Sequence, residues 1–474
     1  MQPPERPSLR QLAAAAGLSP RRFLGDAAGR VALAEVLHGD GPPAVPAETF
    51  RARSVMISAR RQLPAVLALL RLDGVAGRIV LCPPDAAAEH LPSVIAEAGV
   101  SAIISDGTGP ALPAGIPVFA CPADAYPADA GPDLPADAVG AATQWLLFTS
   151  GTTGRPKLVV HTLPSLTGPL DDGLGLAPGT VWSTFYDVRR YGGLTILLRA
   201  LLGGGSMLLS QAGEPVPAFL ARAGEAGVTH ISGTPTHWRR ALMSGAAASM
   251  APRYVRLSGE VADQAILNQL AAAFPEAEVA HAFASTEAGV AFDVRDGLAG
   301  FPASLIGKPG MKAELKVEDG SLRIRSARTA DRYLGASSAL TDVDGFVDTG
   351  DLVELHGNRY HFVGRREGVI NVGGQKVHPE EVEAVINRHP AVQMARVRGR
   401  HSPVTGALVV ADIVLRPNID VDAALRDRAR DEILAACRQA LSPHKVPTML
   451  HRVTSLDITG SSGKLSRRAQ DGRA

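Results

Sequence analysis

The chain has 474 residues, which is too long for one compact core, so two or three structural units are expected. Apolar residues make up 46% and charged residues 20% of the chain, and its 48 Lys and Arg nearly cancel its 47 Asp and Glu. This balance excludes a protein that holds nucleic acid or an anionic membrane through a global positive field, so any anion must be bound locally.

The cysteines and the apolar runs indicate the compartment. Cys82, Cys121 and Cys437 are far apart and lack metal-ligand spacing, so neither structural zinc nor a disulfide framework is predicted. The N-terminus has no apolar run long enough for a signal peptide, and no stretch approaches the roughly 18 residues of a spanning helix. A cytoplasmic protein without a membrane span is therefore expected.

Strand and helix signals alternate from about residue 51 to residue 106, and again from residue 143 to residue 283. Strands are predicted at 78–83 and 101–106, and again at the short apolar runs QWLLFTSG, VTHISG, YVRLSG and EVAHAF. Between them, residues 107–140 are rich in Pro, Ala and Gly and are predicted to form a long surface connection. Short apolar strands that alternate with helices are typical of βαβ units in a buried parallel sheet.

Beyond residue 300 the pattern changes to antiparallel hairpins. Alternating runs flank an Asp-Gly pair at 319–320, and a second pair of runs flanks His-Gly-Asn at 356–358. After residue 368 the signals predict a separate α+β unit, in which Pro379 opens an amphipathic helix.

The predicted fold class is therefore α/β. A large N-terminal domain (1–364) holds mixed and parallel sheets flanked by helices, together with antiparallel hairpins. A boundary at 365–368 separates it from a small α+β C-terminal domain at 369–474.

Residues 147–157, LFTSGTTGRPK, run from a buried-strand signal into hydroxyls, glycines and a lysine. Glycines let backbone N–H groups curl around phosphate oxygens, hydroxyls add donors, and Lys157 adds a mobile positive charge. Pro156 and Leu158 break the GxxxxGK[ST] rule, which disfavours an ordinary P-loop NTPase. A generic loop of this composition would be a surface turn, but this string predicts a polyphosphate site at Thr149, Ser150, Gly151, Thr152, Thr153, Gly154 and Lys157.

The string Ser-Gly-Thr-Thr-Gly-x-Pro-Lys resembles the signature of the acyl-adenylate-forming (AMP-binding) superfamily, which includes acyl-CoA synthetases, stand-alone adenylation domains and luciferases. Segments 257–260, 283–289, 349–351, 364–365 and 460–464 resemble later elements of that family, in the family's order. Taken alone, several would be structural: Ser-Thr-Glu at 285–287 would be a helix capping box, and Lys464 a charge on a disordered tail. The resemblance spans roughly residues 143–465.

The resemblance implies a role for each matching residue. The adenine and α-phosphate side of the nucleotide falls to Gly259, Glu260, Phe283, Ala284, Ser285 and Thr286. Glu287 is expected to bind Mg²⁺, and Asp351 and Arg365 are expected to bind the ribose. A hinge at 365–368, with Glu367 as the hinge residue, makes the small C-terminal domain mobile. Lys464 of that domain enters the site for adenylation. Lys464, Thr286 and Glu287 are thus the expected catalytic set.

The acid and thiol sites are less sharply defined by sequence. The resemblance places the acid beside Tyr186, Tyr191 and Gly192, with further candidates at Phe185, Gly193 and 230–238, and a thiol tunnel beside Gly373 and Gly374. Arg189 or Arg190 would meet a second anionic group or a hydroxyl group on the acid, although surface solvation is the favoured fate of both. Asp187 imperfectly matches the aspartate that amino-acid-adenylating relatives use, so an amino-acid substrate stays open but is not favoured.

The implied activity is a two-step ligase reaction. ATP with Mg²⁺ converts a small carboxylic acid to acyl-AMP and pyrophosphate, the small domain then turns, and the thiol of CoA takes the acyl group. Two alternatives stay open: a stand-alone adenylation enzyme that loads a carrier-protein phosphopantetheine, and a non-catalytic nucleotide-binding homologue. The acid and the oligomeric state are not fixed by the sequence.

Overall fold

A computed structural model of the chain describes residues 7–38, 46–107, 112–121, 142–149, 156–168, 177–308, 312–335, 339–402, 405–457 and 464–465. Within these ranges the large domain contains two mixed sheets and one antiparallel sheet, and the small domain contains two further sheets. The predicted class, a large α/β domain followed by a smaller C-terminal domain, is confirmed.

The strands and helices have the following bounds. The strands of the large domain are β1 Phe23–Asp26, β2 Gly29–Ala32, β3 Ser54–Ile57, β4 Arg78–Leu81, β5 Ala102–Ser105, β6 Val118–Ala120, β7 Gln144–Thr149, β8 Lys157–Thr162, β9 Val181–Thr184, β10 Ser206–Leu209, β11 His230–Gly233, β12 Tyr254–Ser258, β13 Glu278–Ser285, β14 Gly289–Val294, β15 Phe301–Pro302, β16 Ala313–Glu318, β17 Ser321–Ser326, β18 Arg332–Tyr333, β19 Val347–His356 and β20 Arg359–Arg365. The small domain adds β21 Ile370–Val372, β22 Gln375–Val377, β23 Val392–Ser402, β24 Gly406–Leu415 and β25 Met449–Arg452. The helices are α1 Leu9–Ala15, α2 Leu33–His38, α3 Gln62–Leu72, α4 Leu91–Ala98, α5 Leu163–Thr167, α6 Tyr191–Leu202, α7 Val216–Glu225, α8 Pro235–Met243, α9 Gln264–Ala273, α10 Pro379–Asn387, α11 Pro417–Asp420 and α12 Ala423–Ala440. None of the helices in the described part of the chain is both long and apolar enough to cross a bilayer.

The two mixed sheets are mainly parallel, and their antiparallel pairs lie near the ends of the sheets. The first has the order β14-β13-β12-β11-β9-β10-β1-β2, in which only β14 and β2 run against their neighbours. The second has the order β18-β8-β7-β4-β3-β5-β6, in which β8 runs against both of its neighbours, β7 and β18. The predicted parallel strands are present because short apolar runs such as β12, buried at every position, need cover on both faces.

Two helices are buried between these sheets. Nearly every residue of α3 and α6 is buried, and α3 touches β1 of the first sheet and β3 of the second. A helix that is apolar all round is stable only in such an interior position. The position fixes the N-terminus of α6, where Tyr191 begins the helix, inside the large domain.

The third sheet of the large domain is antiparallel, with the order β15-β20-β19-β17-β16. Asp319 (φ 51°) and Gly320 (φ 73°) form the tight turn between β16 and β17, as the Asp-Gly signal predicts. The second predicted hairpin, β19 with β20, is also present. Its last pair joins Asp351 to Arg365, which brings two predicted site residues side by side.

Some short elements differ from the sequence-based expectation. Residues 118–120, inside the predicted surface connection, form the edge strand β6. Near the N-terminus, β1 inserts beside β10 and extends the first sheet, although no strand is predicted there. Both have four residues or fewer, and so few residues show no periodicity.

The small domain packs α10 and α12 against the sheet β23-β24-β25. Val382 and Ile386 of α10 are buried in this core, as their shared helix face predicts. Between the domains, Arg366–Gly368 form a single 3-10 turn that separates β20 from β21. Glu367, the expected hinge residue, is exposed in this turn, and its hinge role stays a prediction.

Candidate active site

The predicted nucleotide-binding residues lie where the strands of the two mixed sheets end. Thr149 ends β7, Gly259 follows β12, and Thr286 and Glu287 occupy the turn between β13 and β14. Ligands of α/β proteins bind at the carboxyl ends of parallel strands, because loops of different strands converge there. The fold thus brings residues that are distant in sequence to one edge.

The centre of the phosphate loop, residues 150–155, lies outside the described residues. The expected roles of Ser150, Gly151, Thr152, Thr153 and Gly154 therefore stay predictions. At the borders of the loop, Thr149 Oγ1 lies 3.5 Å from the carbonyl oxygen of Lys157. The ammonium of Lys157 lies 5.2 Å from the centre of the Tyr333 ring, within range of a cation–π contact.

Tyr333 connects the phosphate loop to Glu287. Its hydroxyl donates a hydrogen bond of 3.0 Å to Glu287 Oε1. Burial and the neighbouring carboxylate raise the pKa of Tyr333, so the phenol stays protonated and remains a donor. The sequence analysis missed this residue, because β18 has two residues and is held in place by its pairing with β8.

The chemistry around Glu287 fits the Mg²⁺ ion that the family resemblance implies. A carboxylate that accepts a phenol hydrogen bond keeps further lone pairs for a hard cation. Half-buried Glu287 stands in the turn next to Thr286, on the side expected to face the phosphates. Glu287 would hold the ion together with phosphate oxygens and water.

His161 holds the turn that carries Thr286. Its Nε2 lies 2.7 Å from the backbone oxygen of Thr286, and its Nδ1 lies 3.0 Å from Ser165 Oγ. A carbonyl accepts only, so Nε2 must carry the proton. Ser285 Oγ accepts from the Ala288 N–H at 2.9 Å, and the segment forms a turn between two strands rather than the start of a helix.

Acidification should destabilise the protein through His161. Burial lowers the pKa of this fully buried histidine from 6.5 to about 4. Between these values the unfolded chain binds a proton that the native protein does not, so stability is lost as the pH falls from 6.5 toward 4. We expect a loss of about 1.4 kcal/mol per pH unit from each such histidine. His161→Gln, which keeps an N–H donor for Thr286 but does not titrate, should reduce the slope by that amount.

The measurement is the free energy of unfolding in urea at several pH values. His230, with a pKa lowered to about 4, contributes its own slope in both proteins and serves as an internal reference. Equal slopes in the wild-type and His161→Gln proteins would contradict the prediction.

The expected adenine platform lies in an aromatic row. The ring of Phe283 stacks on Phe362 with centroids 5.1 Å apart and an interplanar angle of 8°. A bulge between Phe283 and Ala284 shifts the pairing of β13 with β14. The ring is half-buried, and its contact with adenine stays a prediction.

Asp351 and Arg365 form the pair expected at the ribose. Arg365 Nε donates to Asp351 Oδ1 at 3.1 Å, and Nη2 donates to Oδ2 at 3.3 Å. The carboxylate raises the pKa of Arg365. This fork holds an acceptor and a donor side by side, which is the chemistry needed for a diol.

Lys464 of the small domain reaches this same cleft. Its Cε lies 3.4 Å, and its Nζ 3.9 Å, from the position that a Cβ on Gly259 would occupy. Lys464 is exposed as a residue, yet desolvation of its ammonium, followed by repulsion from Arg365, lowers its pKa. Asp351 and Glu260 oppose this shift. The lysine therefore lies in one electrostatic neighbourhood with the pair expected at the ribose.

The side chain of Glu260 contacts protein backbone, and the expected place of this residue beside the nucleotide stays a prediction. Its Oε2 accepts from the Thr236 N–H and its Oε1 from the Leu465 N–H, both at 2.9 Å. The two bonds join the N-terminus of α8 to the residue that follows Lys464.

The expected acid-binding residues surround the start of α6. The Tyr186 hydroxyl donates to the Ser258 carbonyl oxygen at 2.7 Å, and its ring lies 3.5 Å from where a Cβ on Gly192 would be. Tyr191 is buried at the first position of the helix. These residues lie together, and their contact with the acid stays a prediction.

The expectation that Arg189 is solvated at the surface was wrong. Its side chain is 1% exposed and makes a two-pronged ion pair with Asp187, at 2.7 and 2.6 Å. It also donates to the backbone oxygen of Ala59. The carboxylate of Asp187 is therefore occupied by Arg189. The position of this aspartate in the sequence no longer supports an amino-acid substrate. Arg190 is half-buried and donates to Asp85 at 2.9 Å.

Gly373 and Gly374, the expected thiol-tunnel residues, form the turn between β21 and β22. Gly373 N–H donates to the Thr405 carbonyl at 2.8 Å, and Gly374 N–H donates to Asn371 Oδ1 at 2.9 Å. Both partners belong to the small domain. The turn is exposed, and its approach to the cleft after a domain rotation stays a prediction.

Family models match most of the chain. Residues 50–328 match the AMP-binding enzyme model, and residues 381–464 match the AMP-binding enzyme C-terminal domain. The chain belongs to the AMP-binding enzyme family. The resemblance stated from the motifs is thereby confirmed.

Relatives of this AMP-binding enzyme include 2-succinylbenzoate–CoA ligase from Listeria monocytogenes, 28% identical over 339 residues that cover 69% of each chain. A benzoate CoA ligase from Burkholderia xenovorans superposes with a TM-score of 0.79 at 21% identity, covering 98% of this chain and 99% of that one. The o-succinylbenzoate CoA synthetase from Bacillus subtilis, solved with the acyl-adenylate OSB-AMP, gives 0.73 at 21%, covering 99% of both chains. At such identity these structures establish the shared fold.

Proposed function

We propose that this AMP-binding enzyme is an AMP-forming acid–CoA ligase whose acid is aromatic and carries a second carboxylate. The reaction class is that of the curated relatives, which are CoA ligases, and the predicted acid–thiol ligase activity is thereby confirmed. The identity of the acid and the individual residue roles are proposals.

One observation carries the proposed mechanism: Lys464 of the small domain lies over Gly259, beside the Asp351–Arg365 pair. In the first step an acid oxygen attacks the α-phosphorus of ATP and pyrophosphate leaves. Negative charge grows on the bridging and leaving oxygens, and a fixed ammonium stabilises it more than it stabilises the ground state. Lys464 is the cation placed for this task.

The other residues bind and orient the nucleotide. Asp351 and Arg365 would hold the ribose hydroxyls, while Lys157 and the phosphate loop would hold the phosphates. Bound Mg²⁺, held by Glu287, would supply charge neutralisation. Tyr333 and His161 keep Glu287 and Thr286 in place.

In the second step, the sulfur of CoA attacks the carbonyl carbon of the acyl-AMP, and AMP leaves. This step does not need the positive charge of Lys464, and the thiol must be able to reach the acyl-AMP. A small domain joined by the short turn Arg366–Gly368 can withdraw Lys464 and present another surface.

Two arginines, the buried Arg256 and the half-buried Arg199, support an acid with a second anionic group. Arg256 is 3% exposed and donates to Asp293 at 2.9 and 3.2 Å. Burial and repulsion from Arg256 lower the pKa of Arg199, which lies two turns along α6 from Tyr191 and shares the field of Asp293. Two guanidiniums that share one carboxylate leave a net positive charge, which favours the binding of an anionic group of the substrate. The curated relatives act on 2-succinylbenzoate, an aromatic acid of this kind.

The test is acid-dependent ATP–pyrophosphate exchange with 2-succinylbenzoate, benzoate, anthranilate and phenylalanine. We expect the fastest exchange with 2-succinylbenzoate. Arg199→Met should lower kcat/KM for this acid about tenfold or more, because an anion loses its partner, and should change the value for benzoate by less than about twofold. Equal losses for both acids would contradict the second carboxylate. No exchange with any acid would favour the non-catalytic homologue.

The acceptor is tested separately, since CoA and carrier proteins end in the same pantetheine. Preformed acyl-AMP is supplied with CoA or with a panel of phosphopantetheinylated carrier proteins. We expect thioester on CoA. Thioester on a carrier but not on CoA would overturn this choice.

A further inference from the structure

We infer that Glu260 is a positioning residue that locks Lys464 into the cleft for acyl-AMP formation and is released for the thiol step. This inference rests on the proposed two-step function. Its carboxylate is divided between two N–H groups, Thr236 in the large domain and Leu465 in the small domain, each at 2.9 Å. Both carboxylate oxygens of Glu260 are thus hydrogen-bonded to backbone N–H groups of the protein.

The large-domain end of this bridge is rigid. Thr236 is the second residue of α8, a helix of nine residues, and the N–H groups at a helix N-terminus have no partner within the helix. A carboxylate at that end satisfies one of them and is stabilised by the helix dipole. The side chain of Glu260 is therefore held in one direction, toward the small domain.

The small-domain end acts on Lys464 directly. The acceptor binds the backbone N–H of Leu465, so it fixes the peptide that follows Lys464 whatever side chain stands at 465. Gly259, immediately before Glu260, has φ +86° and no side chain, which leaves room for Lys464 Cε and Nζ above it. Gly259 thus leaves the space that Lys464 occupies. The hydrogen bond from the Leu465 N–H to Glu260, called the latch below, holds the lysine in that space.

The bridge is specific to one domain arrangement. Glu260 is half-buried, so the oxygen that loses Leu465 on rotation gains water at little cost. The Thr236 bond, within the large domain, is unaffected. Glu260 should therefore favour the arrangement with Lys464 inserted without preventing the rotation.

Half-reactions measured with 2-succinylbenzoate test the inference. Glu260→Gln carries one acceptor and one donor, so it cannot serve both N–H groups. We expect ATP–pyrophosphate exchange to fall about 10- to 100-fold. Attack of CoA on supplied 2-succinylbenzoyl-AMP should stay within about twofold, because it does not use the latch. Equal losses in both half-reactions would overturn the inference and indicate a general structural role.

A second variant distinguishes loss of the contact between Glu260 and Leu465 from loss of the contact between Glu260 and the N-terminus of α8. Leu465→Pro removes the N–H donor but leaves the bond between Glu260 and Thr236 intact. We expect it to slow exchange as Glu260→Gln does, and the double variant to be no slower than either single variant. Additive losses would overturn the inference. Glu276→Gln, the same change at an exposed glutamate, is the matched control and should alter neither half-reaction.

A measurement without any acid distinguishes failure of this inference from failure of the proposed function. Spin labels on Glu225→Cys and Asp431→Cys, two exposed positions in the large and small domains, report the interdomain distance with ATP and Mg²⁺ alone. Glu260→Gln should reduce the population at the distance expected from this structure. An unchanged distribution would overturn the latch. A wild-type enzyme that exchanges with no acid would overturn the function but leave this distance readable.

Discussion

Lys464→Met is expected to lower acyl-AMP formation about 100- to 1,000-fold, the range found when one preorganised donor to a developing oxyanion is removed. The ammonium lies over Gly259 and shares the field of Asp351 and Arg365, so its charge is at the edge where the phosphates are expected to bind. Methionine keeps most of the length and the apolar stem of lysine, and it removes the ammonium with its charge and N–H donors. The CoA step should change by less than about twofold, since it needs no such cation.

The two half-reactions provide the measurement: acid-dependent ATP–pyrophosphate exchange, and thioester formation from supplied acyl-AMP. Lys445→Met is the control, because it removes an ammonium from the same small domain, where Lys445 pairs with Glu381 at 2.7 Å. That control should exchange at nearly the wild-type rate. Lys464→Met exchanging as fast as the control would show that this lysine does not stabilise the reacting phosphate.

The sequence predicts a candidate site in detail because phosphate chemistry restricts residue choice. Glycines, hydroxyls and a lysine around 149–157, and paired Asp351 and Arg365, have few substitutes for binding a nucleotide, so their order along the chain was informative. The hairpin at Asp319-Gly320 was also predicted from the sequence, because an Asp-Gly pair favours a tight turn in which both residues adopt positive φ. These features depend on local chemistry, which a sequence records directly.

Other features depend on partners that the sequence does not place. Tyr333 carries no local sign that it touches Glu287, since its strand has two residues and owes its position to β8. Glu260 meets Leu465 across 205 positions of chain, so its latch contact was not visible. Arg189 and Asp187 are two residues apart and resemble a solvated pair, but α6 and the loop at Ala59 enclose them. In each case tertiary packing decides the environment.

Asp187→Leu is expected to destabilise the enzyme by about 3 to 5 kcal/mol, because it leaves the guanidinium of Arg189 buried without a counter-charge. The two side chains are 1% and 5% exposed, so water cannot replace the lost carboxylate. The double variant Asp187→Leu with Arg189→Met should recover most of this loss, since an apolar pair needs no desolvation of charge. Arg428→Met, which breaks an exposed ion pair with Glu432, should cost less than about 1 kcal/mol.

The free energy of unfolding in urea measures each variant, and exchange with phenylalanine and 2-succinylbenzoate measures the acid preference. If Asp187 instead faced the acid, Asp187→Leu would be as stable as wild type and would change which acid is activated. A destabilised variant that keeps its acid preference would show that Asp187 neutralises Arg189 and does not bind the acid. The recovery in the double variant is decisive, because a substrate-binding aspartate would gain nothing from the removal of Arg189.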